Sequence, residues 1–419
     1  MSSPKDLTGT RLGRYLLAKH LATGGMAEIF LAHHEADGGF HKELVLKILQ
    51  PRLAEHPAVV AMFLGEARIA AALSHPNIVD VHDVAFEEGL HYIVMEYIPG
   101  VTLTQLARRA LEVSHNLPLD VGTHIVSEVA SALAYMDEGV GPDGQRFQIV
   151  HRDVSPTNIL IANSGHIKLI DFGIARQGSA VKDEAGLRPG KASYMSPEQA
   201  LGLAIDGRSD IFCLGTILYE ITLGRRLWRG PREKAIRRIV EEVPPPPTYV
   251  EREYPPELEQ IVLRTLEKRP EDRYQSAGDL AADLQEFLQS AGALMRSHHQ
   301  MRRYLRDLYS EEADAYISEH GMERARAFVE GDDDDVLDFD RLLDDGPGAA
   351  LARALRAHGV HPAVAAVQDM PPTGLTPEPA DPVDATVAGP EGEGGPQARA
   401  SRTSQTEPKR SARHRNARS

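Results

Sequence analysis

Residues 151–159 read HRDVSPTNI. A His, an Arg and an Asp stand ahead of a Ser-Pro turn and an Asn, between FQIV (147–150) and LIANSG (160–165), which both read as short buried strands. Enclosing polar groups among apolar residues is unfavourable unless they find partners, so the string marks a place where polar atoms are required. Thirteen residues after Asn158 a further apolar run, LIDFGIA (169–175), supplies Asp171 ahead of a glycine that permits a sharp turn. Asp153, Asn158 and Asp171 offer hard oxygen atoms, the kind that Mg²⁺ and a hydroxyl nucleophile require. A lone Asp-Phe-Gly is compatible with a strand-turn accident. His-Arg-Asp, an Asn five residues after that Asp, and Asp-Phe-Gly at this spacing are not.

Upstream, two stretches offer candidates of their own. In ELVLKIL (43–49) Lys47 interrupts an apolar strand, which is unfavourable for a buried ammonium without a partner and harmless for an edge-strand lysine facing water. FLGEARIAAAL (63–73) follows as a helix with Phe63, Ala67 and Ala70 on its apolar side; its Glu66 is a carboxylate that an interior Lys47 could pair with. In LATGGMAEIF (21–30), Gly24 and Gly25 occupy a turn between two strands, either as an ordinary hairpin or as backbone amides able to close over phosphate oxygens.

The remaining composition bounds the function. The chain has 419 residues, 42% hydrophobic and 26% charged, with a formal charge of −15. That charge argues against general nucleic-acid binding, which needs a basic face. Cys213 is the only cysteine, which excludes an intrachain disulfide and cysteine-rich zinc sites and points to a reducing cytoplasm. No apolar run approaches the roughly 20 residues of a membrane span, and MSSPKDLTGTRLGRY lacks an apolar signal core, so a soluble, non-exported protein is expected.

The order of elements changes along the chain. Strands dominate up to about residue 98, interrupted by one helix over 57–73; helices dominate afterwards, the clearest at 121–139 and 209–224. Such an order predicts a two-lobed α+β fold with a ligand crevice between the lobes. Residues 291–345 read as a helical and acidic extension ending in GDDDDVLDFDRLLDD (331–345); Met301, Tyr304, Leu305, Leu308 and Tyr309 share one helix face there, suited to packing back on the large lobe or to binding a partner protein. The Pro, Ala and Gly-rich tail of 346–419, with its basic end PKRSARHRNARS, is expected to be disordered.

Together these motifs resemble those of the protein kinases, specifically the eukaryotic-like Ser/Thr kinases of bacteria. The resemblance spans about 15–290, and implies a β-rich N-lobe over about 15–97 and a helical C-lobe over about 98–290. It implies Ser/Thr phosphorylation of protein substrates in the cytoplasm with ATP and Mg²⁺, Mn²⁺ being an alternative ion. By resemblance Lys47 contacts phosphates and pairs with Glu66, Asp171 and Asn158 hold metal, and Asp153 receives the substrate hydroxyl proton. His151 supports the catalytic loop and Arg152 steadies the activation segment. Ala22, Thr23, Gly24, Gly25, Met26, Ala27 and Ile29 cover the nucleotide, Met95 lines its pocket, and the backbone of Glu96 and Ile98 holds adenine. Glu198 is expected to pair with Arg273, and Asp210 to brace the catalytic loop.

The chain departs from the family pattern at several positions. Ala22 and Ala27 replace the outer glycines of the glycine loop, adding a methyl at each. Ser155 stands where Ser/Thr kinases carry a lysine two residues after the catalytic Asp, and Lys191 stands where they commonly carry Thr. Lys191 is therefore a candidate replacement for the missing ammonium, against the plainer reading of an exposed loop lysine. The segment 175–198 offers Ser179 as a phosphorylation site, with Asp183 and Glu184 as a permanent alternative source of negative charge. A pseudokinase acting through the extension is the rival function. Retention of Lys47, Asp153, Asn158 and Asp171 together argues against it.

Overall fold

The computed structural model describes residues 7–36, 40–113, 116–141, 144–172, 191–292, 295 and 297–311. Strands β1 (Arg11–Leu12), β2 (Tyr15–Thr23), β3 (Ala27–Ala36), β4 (Phe40–Leu49), β5 (Val81–Glu87) and β6 (Leu90–Glu96) form one antiparallel sheet in the order β1-β2-β3-β4-β6-β5. Helix α1 (Pro51–Ala54) and helix α2 (Pro57–Ala72) fall between β4 and β5. Side chains alternate along β4 with period two. Leu44, Leu46 and Ile48 enter a core with Tyr15, Phe30 and Tyr92, while Leu49 belongs to a second core with Phe63 and Ala67 of α2. By that alternation Lys47 faces α2.

Helix α2 starts on Pro57, whose missing N–H is not needed at a first helical position. Its buried residues Val59, Phe63, Glu66, Ala67 and Ala70 follow the helical repeat. Glu66 therefore lies on the buried stripe, pointing the same way as Phe63 and Ala67, and this placement makes it available to Lys47.

After β6 the chain passes into a small sheet of β7 (Gly100–Thr102), β8 (Ile159–Ala162) and β9 (Ile167–Leu169). The helical lobe is built on α4 (Leu119–Glu138) and α6 (Gly207–Leu223), with α3 (Leu103–Val113), α5 (Pro197–Leu201), α7 (Arg232–Glu241), α8 (Pro247–Val250), α9 (Pro256–Thr265) and α10 (Ala277–Ser290) around them. Every residue of α6 from Ser209 to Leu223 is buried, so this apolar helix is the axis of the core. Asp206 caps its start by accepting from the Arg208 N–H, and Gly224 ends it in the left-handed conformation at φ 63°. Cys213 is a buried member of that core.

FQIV, expected as a strand, is not one. Its backbone N–H groups go to the end of α4 instead: Phe147 donates to Gly139 O, Gln148 to Asp137 O and Ile149 to Met136 O. The segment satisfies the carbonyls that a helix C-terminus leaves unpaired, and so has no need of a strand partner.

Helix α11 (His298–Leu308) realises part of the extension. Met301, Leu305 and Leu308 are buried in the core of the helical lobe, and Arg109 of α3 donates to Leu308 O at 3.0 Å while lying over the Tyr309 ring. Of the two sequence expectations for that helix face, it takes the one that packs it on the lobe. The aspartate run and the basic tail lie outside the described residues. Among the described residues, no helix is long and apolar enough to cross a membrane.

Candidate active site

The site begins at the centre of the larger sheet. Lys47 pairs across to Ile29 on β3 and to Ile93 on β6, so it is on an interior strand and not on an edge. Its Nζ donates to Glu66 Oε1 at 2.6 Å and to Asp171 Oδ1 at 2.9 Å. The strand of one lobe, its helix, and the segment following β9 of the other lobe thus meet at a single ammonium. Burial works to lower the Lys47 pKa, but the Asp171 and Glu66 charges outweigh it and hold the ammonium above its ordinary value. Burial pushes the Glu66 carboxyl upward, with Lys47 opposing and Asp171 adding to the push.

Residues 151–159 supply the next groups of the site. Asn158 Nδ2 donates to Asp153 Oδ2 at 2.9 Å and to the Asp153 carbonyl at 2.8 Å, fixing the carboxylate against its own loop. Arg152 and Asp171 adopt positive φ, 67° and 56°. For non-glycine residues that conformation is unfavourable and is held by its surroundings. One such hold is visible at Arg152. Asp210, at the start of α6, accepts from the His151 N–H at 2.7 Å and from the Arg152 N–H at 2.8 Å. Burial pushes the Asp210 carboxyl up to about 7 even though these two N–H groups favour its charge. His151 is fully buried, its Nε2 is 3.3 Å from Ile170 O, and its ring lies against Phe172 with centroids 5.3 Å apart.

The glycine turn is held from below. Gly24 N donates to Ala27 O, closing the turn between β2 and β3. Gln50, immediately after β4, donates from its amide to Gly24 O at 3.1 Å and from its backbone to Met26 O at 2.9 Å. Ala27 is buried with Leu49, Phe63 and Ile93. The methyl that replaces an outer glycine therefore packs into the core beside α2, whereas Ala22 at the other outer position is exposed.

Met95 pairs with Val45, and Glu96 with Leu44, at the end of β6, where the chain leaves for the smaller sheet; Ile98 follows in the connection, half-buried. The Glu96 side chain is not idle. Its Oε1 accepts from Lys168 Nζ of β9 at 2.6 Å and from Asp80 N at 2.9 Å. Gln50 and Lys168 were not singled out from the sequence. Lys168 carries the same signal that exposes Lys47, a lysine inside an apolar strand, in HIKLID.

The expected supports of the helical lobe are in place. Arg273 forms a two-pronged pair with Glu198, Nη1 to Oε1 at 2.7 Å and Nη2 to Oε2 at 2.8 Å, and Ser209 Oγ adds a third bond to that carboxylate. Ser155 is buried, its hydroxyl 3.0 Å from Thr157 Oγ1. Lys191 opens a 3-10 turn, Lys191–Tyr194, but its side chain lies outside the described part, as do Ser179, Asp183 and Glu184.

Asp171 Oδ1 lies 2.9 Å from the lysine ammonium, and the Asn158 backbone carbonyl accepts from the N–H of Ile170, the residue before Asp171, at 2.9 Å. Among the described residues no group of three or more His, Cys, Asp and Glu side chains could hold a metal alone. A pair of one carboxylate and one amide oxygen suits a hard divalent cation that keeps waters and phosphate oxygens in its shell.

Comparison with known proteins agrees with this geometry. The protein kinase domain family matches residues 15–286. The tyrosine-protein kinase MasK of Myxococcus xanthus is 38% identical over 303 residues, covering 70% of this chain and 47% of that protein. The serine/threonine-protein kinase PknB of Mycolicibacterium smegmatis is 37% identical over 293 residues, covering 68% of this chain and 44% of that protein. Among solved structures, a PknI kinase domain of Mycobacterium tuberculosis is 29% identical with a TM-score of 0.52, covering 68% of this chain and 99% of that one. The chain spans somewhat under half the length of these curated relatives. With a central lysine bridging the two lobes and a family match across both of them, the chain belongs to the protein kinase family.

Proposed function

We propose that this chain is a serine/threonine protein kinase of cytoplasmic signalling, transferring the γ-phosphoryl group of ATP to Ser or Thr hydroxyls of protein substrates. The observation that carries the reading is the Lys47 ammonium held between Glu66 and Asp171 at 2.6 and 2.9 Å. That alignment couples the nucleotide-facing strand to the residue proposed to hold metal.

In this reading Mg²⁺ bound with ATP supplies positive charge that offsets the phosphate oxygens during transfer. Asp171 and Asn158 would hold that ion. Lys47 would neutralise phosphate charge from the other side, with Glu66 fixing its direction. Asp153 would take the proton of the acceptor hydroxyl, its carboxylate oriented by Asn158. The turn from Ala22 to Ala27, with Ile29, would cover the phosphates, steadied by Gln50. Met95 would line the adenine pocket while the backbone of Glu96 and Ile98 holds the base. The Lys47 and Glu66 side chains are only 12% and 11% exposed, so their charges are less screened than in water.

Serine and threonine are favoured as acceptors by the SYMSPE stretch (193–198) and by likeness to PknB; the name of MasK makes tyrosine the alternative to test. Wild type and Asp153→Asn are incubated with labelled ATP, Mg²⁺ and a basic protein, and the phosphoamino acids are separated. Phosphoserine and phosphothreonine from wild type alone are expected. Phosphotyrosine would reassign the acceptor, and equal labelling by the two proteins would overturn the enzyme reading.

A further inference from the structure

Helix α11 has two stripes. Met301, Leu305 and Leu308 are buried against the helical lobe, and on the outside His299, Arg302, Arg303 and Arg306 recur at i, i+3, i+4 and i+7, all exposed around one surface depression. Among the described residues Arg302 and Arg303 make no ion pair, and Arg306 has only the neighbouring Asp307 at 3.7 Å, where both side chains are exposed. Four basic positions along about 10 Å of helix are unusual on a chain of net charge −15.

A membrane surface is disfavoured as occupant because the apolar stripe of α11 is already used against the lobe. Nucleic acid is disfavoured by the overall charge. The chain itself carries a complementary ligand: residues 332–345, DDDDVLDFDRLLDD, hold eight Asp and one Arg. Twenty-three residues separate Leu308 from Asp332. Fully extended they would span roughly 75 Å, several times the length of the stripe. A tether of that length also keeps the segment at a high effective concentration.

We propose that the aspartate-rich segment 332–345 docks in cis on the basic stripe of α11. The contact would add to the seat of this helix. At its start His298 stacks on His166 with centroids 4.5 Å apart, and a Cβ on Gly165 would overlap the His298 carbonyl. His166 and Gly165 form the turn that leads into β9, and β9 leads to Asp171. The docked segment thereby stiffens the strand entering the candidate active site from its far side.

The test uses the full chain with spin labels at Asp307→Cys and Phe339→Cys, the buried Cys213 remaining unlabelled. A short, narrow distance population is expected, lost on R302E/R303E/R306E and in about 1 M NaCl, where charges are screened within about 3 Å. Combining those reversals with D332K/D333K/D334K/D335K should bring it back, a rescue that misfolding would not allow. Distances indifferent to the arginine reversals would overturn the proposal. So would a short population lost only on deleting 400–419, which would assign the run to the basic tail. The readout does not involve phosphoryl transfer and stands apart from the kinase reading.

Discussion

Lys168 Nζ lies 2.6 Å from Glu96 Oε1 and 3.0 Å from the Ile78 carbonyl. One ammonium on β9 thus joins the strand leading to Asp171, the segment after α2 and the end of β6. Lys168→Met removes the charge and leaves a half-buried carboxylate whose one remaining partner among the described residues is the Asp80 N–H. A loss of about 1–3 kcal/mol is expected, read as a lower Tm, with weaker ATP binding because the backbone of Glu96 is proposed to hold adenine. Lys168→Arg should recover much of both. An unchanged Tm in Lys168→Met would refute the assignment.

Lys168 also marks the limit of what the sequence displays. Period-two and helical patterns placed β4, α2, α4 and α6, because burial periodicity is local and is written into consecutive residues. The same pattern put Lys47 inside a strand, and the family motifs gave it Glu66 as a partner. Lys168 has an equivalent setting but no motif partner, so its match with Glu96, seventy-two residues away, had to be seen in space. Gln50 was hidden for a related reason, since a polar residue between a strand and Pro51 looks like a simple loop. FQIV misled because short apolar runs carry no record of whether their backbone pairs with a strand or with a helix end.

Ser155 is buried and bonded to Thr157, and a neutral hydroxyl offers no charge to a phosphate. The proposed replacement is Lys191. A charge pair at about 4 Å and an effective dielectric of 20 is worth on the order of 4 kcal/mol, up to about a thousandfold in rate. Lys191→Met should lower kcat strongly, and adding Ser155→Lys to that variant should restore part of it. A kcat equal to wild type in Lys191→Met would reject the role.

Arg152 Nε and Nη1 are buried and find no hydrogen-bond partner among the described residues. Burial, only partly offset by Asp210, lowers the pKa of this guanidinium, which makes an anionic partner favourable. Phosphorylated Ser179 is the proposed partner. Ser179→Ala should reduce turnover, by about tenfold or more if it removes a charge-assisted pair of some 1.5–3 kcal/mol. Arg152→Met in that background should add little. Finding Ser179 unmodified in active enzyme would transfer the role to Asp183 and Glu184.

Lys268 is 6% exposed, and its Nζ donates to Ile239 O in the last turn of α7 at 2.6 Å while lying 4.3 Å from the centre of the Trp228 ring. Burial, followed by the nearby Arg273 charge, lowers its pKa to about 7. An unfolded lysine titrates near 10.4, so between about pH 7 and 10 the unfolded chain binds a proton that the folded one releases. Stability from this group should therefore rise with pH across that window, by up to ~1.4 kcal/mol per unit, and be flat below it. Trp228 is the only tryptophan, so its fluorescence should titrate near pH 7 as the ammonium over its ring loses charge. Both the titration and the stability slope should disappear in Lys268→Met, whatever the lost bond to Ile239 does to absolute stability. A slope that persists in that variant would assign the pH dependence to another group.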